Sequence, residues 1–120
     1  MKLHLIATLP MLALLGACAT TSTVDVVDAA HQPSAPDCNV TFFKKTKPEQ
    51  TFSVLAQIES HVQQNFFFGG TAKLEAEAYA ELKKKTCGVG GNAVIINDYV
   101  ESRASEFSHV HVWATSIKMQ

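Results

Sequence analysis

The 120-residue chain has no apolar run long enough to cross a bilayer, no excess of positive charge and no Cys-x-x-Cys pair. A membrane span needs about 20 apolar residues, and the longest stretch here, Leu5 to Leu15, is shorter and broken by Thr8 and Pro10. The formal net charge is −1. A nucleic-acid binder would carry a basic stripe or patch, so nucleic acid is not an expected partner. No spacing matches a serine nucleophile elbow, a paired-carboxylate site or a phosphate loop. The expectation is therefore a non-enzyme with no cofactor, no assigned metal and no small-molecule substrate. Internal repeats and low-complexity tracts are absent too. Hydrophobic residues at 47% and charged residues at 18% suffice for one small core, too apolar for a disordered chain.

What is present begins with a leader. Lys2 precedes the apolar run, which ends in small residues, the three-part layout of a secretory signal. A non-cleaved membrane anchor is the alternative. Leu15-Gly16-Ala17-Cys18 resembles the lipobox of bacterial lipoproteins. That resemblance implies a signal peptide over 1–17, cleavage before Cys18 and a diacylglyceryl group on its sulfur. Two or three acyl chains anchor a protein stably where one does not. Ala19 follows the cysteine, where the resembled sorting pattern places an aspartate for inner-membrane retention. The implied location is the outer membrane, lipid-anchored and facing the periplasm.

Residues 18–37 are rich in Thr, Ser, Ala and Pro and lack aromatics, which predicts a lipidated flexible tether. The nineteen residues after Cys18 have an end-to-end distance of roughly 25 Å, and about 60 Å if extended. A short edge strand at Val24-Asp25-Val26-Val27 is the alternative. From Cys38 the pattern tightens into a domain over 38–120. Asn39–Phe43 reads as a strand closed by a Lys44-Lys45-x-Lys47-Pro48 turn. Thr51–Val62 alternates, with Phe52, Val54, Ala56, Ile58 and Val62 on one face and only Leu55 out of phase. Thr71 caps a predicted helix to about Thr86, with Leu74, Ala78 and Leu82 on its apolar face and Gly88 as its stop. Asn92–Val100 predicts a central strand, Glu101–Glu106 a polar connection and His109–Lys118 an alternating strand. The result is an α+β fold, a small sheet with one covering helix in the order ββαββ.

Gly88-Val89-Gly90-Gly91-Asn92-Ala93-Val94-Ile95, with Cys38-Asn39-Val40 and the Pro48…Phe52…Leu55…Ile58 spacing, resembles the RcsF-like and YbjQ-like small periplasmic domains. That group includes an outer-membrane lipoprotein sensing envelope stress. The resemblance covers roughly Cys38 to Met119. It implies the same small fold and a role in binding or monitoring another envelope protein.

Four constellations remain. Cys38 and Cys87 are the even pair left once Cys18 is lipidated, which in an oxidising compartment points to a disulfide. Free thiols or an exchange role are the alternatives. His109 and His111 share one strand face and read first as solvent-exposed strand histidines. Their spacing also suits a shared metal, for which the sequence fixes no further ligand among His61, Asp98 and Glu101, or a pH-sensitive patch. Phe66-Phe67-Phe68 cannot all point inward, so it packs two rings in the core or offers an aromatic contact to a partner or membrane surface. The lysine clusters at 44–47 and 83–85 are solvated element ends or contacts to anionic groups. A metal-binding module, or a structural lipoprotein without a ligand, stands as the alternative to an envelope-sensing module.

Overall fold

The computed structural model describes residues 19–65, 70–104 and 106–120. The leader, Cys18 and Phe66-Phe67-Phe68 lie outside the described residues. The elements are β1 (Ala19–Val26), β2 (Thr41–Phe43), β3 (Phe52–Asn65), α1 (Thr71–Gly88), β4 (Ala93–Ala104) and β5 (Phe107–Met119). They form a small α+β domain with one helix on a five-stranded mixed sheet, ordered β1-β3-β5-β4-β2. β2 runs parallel to β4, and the other pairings are antiparallel.

The observed order is βββαββ, so the expected ββαββ lacks its first strand. β1 pairs along β3 from Ala19↔Gln63 to Val26↔Ala56. Its Thr and Val residues favour the extended backbone, and β3 offers it an otherwise unpaired edge. Where a flexible tether is expected over 18–37, residues 19–37 are therefore a strand followed by a coil bonded to the domain. Val27 and Asp28 both donate their backbone N–H to the Leu55 carbonyl, and Ser34 donates to that of Cys87. Leu55, the residue out of phase in the sequence, sits where the β3–β5 register shifts between Val54 and Ala56. This bulge turns Leu55 and Ala56 both inward and leaves Val54 exposed.

α1 covers one sheet face. Leu74, Ala78 and Leu82 pack on Ala56, Ile58 and Val62 of β3, Val110, Val112 and Ala114 of β5, and Val94 of β4. Burying each Leu or Val side chain contributes about 1.5–3 kcal/mol. A smaller cluster on the other face joins Ala93, Ile95 and Ile117 with Phe43, Phe52 and Met119. The helix departs from expectation at both ends. Gly70, not Thr71, is the N-cap, with no side-chain cap bond, and the helix continues to Gly88 with Val89 as its C-cap. The glycine that the turn requires is Gly90, at φ +80°. A Cβ there would lie 2.6 Å from the Gln32 carbonyl oxygen. The expected polar connection over 101–106 is largely strand, because β4 and β5 stay paired out to Ala104↔Phe107.

Candidate functional site

The disulfide joins Cys38 to Cys87, with Cα atoms 5.9 Å apart. Cys87 lies in the last turn of α1 and is fully buried. Cys38 lies in the coil before β2. The bond fastens the helix end to the chain leading into a three-residue edge strand that pairs only with β4.

With α1 on one face, the middle of the sheet's other face presents polar and aromatic side chains. Period-two alternation places Gln57, Glu59 and His61 of β3 beside His109, His111 and Trp113 of β5. Directly opposed pairs are His61↔His111 and Glu59↔Trp113, yet the closest contacts run diagonally. His61 Nε2 and His109 Nδ1 share a hydrogen bond of 3.0 Å, one ring nitrogen donating and the other accepting. Their planes are within 5° and their centroids 5.2 Å apart. That centroid separation is close to the largest such a contact allows, so the two nitrogens point straight at each other. His111 Nε2 donates to Glu59 Oε1 at 2.5 Å, and the His111 ring stacks on the Trp113 indole at 3.9 Å between centroids.

The electrostatics follow from this crowding. His61 has its pKa lowered below the usual 6.5, first by burial and then by the neighbouring His111 and His109, with Glu59 pulling the other way. His109 and His111, singled out in the sequence, are thus brought together with His61. Asp98 and Glu101 are engaged elsewhere: Asp98 Oδ1 accepts from the Tyr99 backbone N–H, and Glu101 Oε1 accepts the Tyr99 hydroxyl at 2.6 Å. Burial, reinforced by the bond to Glu101, pushes the Tyr99 hydroxyl pKa up. Among the described residues no group of three or more His, Cys, Asp or Glu side chains is arranged to hold a metal ion. The two facing nitrogens explain part of this, since a tetrahedral site needs lone pairs that converge on one point.

The sequence reading missed the lower half of the same face. The β4–β5 register shifts between Ile96 and Asp98, so Asn97 occupies a bulge beside Trp113. Asn97 Nδ2 donates to Thr115 Oγ1, which donates to Gln57 Oε1, both at 2.8 Å. Next to this chain lies a shallow depression of about 230 Å³, lined by Thr23, Asp25, Gln57, Glu59, Asn97 and Trp113 among others. The lone tryptophan was the available signal, but its partners depend on two bulges and on β1.

The lysine clusters are partly engaged. Lys44 lies 3.7 Å from Glu75 and 4.7 Å above the Tyr79 ring, and Lys85 lies 3.7 Å from Glu81. The last pair is the one-turn spacing expected from the helix.

No family model and no curated protein matches this chain. The crystal structure of a Francisella virulence factor, FvfA, is similar to it, with a TM-score of 0.61 over 82% of this chain and 97% of that one. Sequence identity is 17%, and at that level the likeness shows a shared fold alone.

Proposed function

We propose that the chain is a lipid-anchored, periplasm-facing domain of an outer-membrane lipoprotein with an RcsF-like architecture, which binds or monitors another envelope component. The leader and the Leu15-Gly16-Ala17-Cys18 motif support the anchor. A disulfide between Cys38 and Cys87 suits an oxidising compartment. The observation that carries the reading is the asymmetry of the sheet: α1 covers one face, and the other presents His61, His109, His111 and Trp113, all half-buried, to a partner. No described helix is long and apolar enough to cross a membrane. β1 begins at Ala19, one residue beyond the Cys18 anchor. The lipid would then lead straight into the sheet edge, with the Ala19↔Gln63 end nearest the bilayer.

Metabolic labelling with a radioactive fatty acid tests the anchor. Incorporation lost in Cys18→Ala is expected, and unchanged incorporation rejects it. Cross-linking in intact envelopes tests the exposed face, through a photoreactive residue at Glu59 against one at Lys83 on the helix. A second reading, a metal-binding module, draws on His61 joining the two sequence-predicted histidines. A zinc titration of the purified chain with no bound metal removes it.

A further inference from the structure

We propose that the depression beside Trp113 is a subsite for one pyranose ring of an envelope glycan. The inference deepens the proposed function by naming a ligand class, and it rests on that reading for where the glycan is met. Three features of the site carry it. The first is an aromatic wall: the indole of Trp113 lines the depression, and the His111 ring at 3.9 Å holds it in place. A flat, amphipathic indole suits the apolar C–H face of a sugar ring. The second is a pair of oriented amides. The Asn97–Thr115–Gln57 chain uses the amide nitrogen of Asn97 and the carbonyl oxygen of Gln57. This leaves Asn97 Oδ1 as acceptor and Gln57 Nε2 as donor for ring hydroxyls. Asn97 owes its position to the β4 bulge, a device that re-aims side chains next to binding sites.

The third feature is charge. Among the described residues neither Lys nor Arg lines the depression, while Asp25 and Glu59 do, and Glu59 is engaged by His111. Phosphate and other anions are disfavoured there. Neutral hydroxyls, which donate to the Asp25 carboxylate and to Asn97, are matched. At about 230 Å³ the depression lies below the roughly 300–1,000 Å³ of pockets that enclose drug-sized ligands. Its open form fits one ring of a chain lying across the sheet.

Trp113 is the only tryptophan, so intrinsic fluorescence reports on this site directly. The full chain, kept in a detergent without sugar groups, is titrated with a β-1,4-linked N-acetylglucosamine tetramer, with maltotetraose and with choline. A saturable spectral change with either oligosaccharide is expected, weakened about tenfold in Asn97→Ala, the worth of a hydrogen bond or two. Gln57→Ala, at an exposed position, gives the same readout where Asn97→Ala disturbs the bulge. A saturable response to choline alone assigns the site to cations and overturns the proposal. So does the absence of any saturable response, or binding unaffected by both substitutions. Sugar binding in detergent does not require the lipid, so fatty-acid labelling of Cys18 fails or succeeds independently of it.

Discussion

Removing the Cys38–Cys87 bond is the perturbation whose size the structure sets most clearly. The two residues are 49 positions apart, so the bond closes a loop that the unfolded chain would otherwise leave open. In the chain-entropy model a loop of about 50 residues stabilises the fold by roughly 4 kcal/mol. The native side adds its own dependence. β2 has three residues and pairs only with β4, while Thr41 bonds to the Asn92 carbonyl at 3.1 Å. Apart from the bond, the 38–43 segment meets the helix through Phe42, whose ring packs edge-on to Tyr79 at 5.3 Å between centroids. The double variant Cys38→Ala, Cys87→Ala avoids burying a new hydroxyl at the fully buried position 87. For a domain of this size 4 kcal/mol corresponds to a fall in Tm of about 15–30 °C. Urea unfolding of the oxidised protein and the double variant, followed by circular dichroism, measures the difference. A loss below 1 kcal/mol would refute the reasoning, because both the loop length and the weakly held edge strand demand more.

Two other outcomes follow from local geometry. His61 has a folded pKa below its unfolded value of 6.5, so the unfolded state takes up its proton first on acidification. Its contribution is fully present above pH 6.5 and is lost as pH falls from there through the folded value. Tm should therefore decline across that window, less steeply in His61→Gln, and parallel curves for the two proteins count against the shift. Gly90→Ala forces a side chain into φ +80° and onto the Gln32 carbonyl, costing at least about 1–2 kcal/mol. Gly88→Ala meets nothing within 4 Å on the helix and should be neutral or stabilise by about 0.5–1 kcal/mol. Urea midpoints of the two variants that coincide would contradict the assignment of the turn to Gly90.

The helix, its Leu74–Ala78–Leu82 face and the inward Val110–Val112–Ala114 row were legible in the sequence because periodicity reports burial directly. The disulfide was legible from cysteine arithmetic and the oxidising compartment that the leader implies. β1 was not, because Ala19–Val26 forms an edge whose residues are mostly exposed, and composition reads such a segment as a linker. The bulge at Leu55 showed only as one residue out of phase, and the one at Asn97, a single inserted residue, left no mark on composition or pattern. Those two residues also explain the partial view of the site. His109 and His111 share a strand and announce themselves, whereas His61 joins them through cross-strand register. Asn97 and Gln57 flank Trp113 only once the second bulge is in place.

Mass spectrometry of the intact chain, extracted from the membranes of the cells that make it, bears most directly on the anchoring from which the envelope role follows. The expected species is a polypeptide starting at Cys18 and heavier than its sequence by a diacylglyceryl group, with or without a further acyl chain on the new amino terminus. A water-soluble product that still begins at Met1, with an unmodified thiol at position 18, would contradict it.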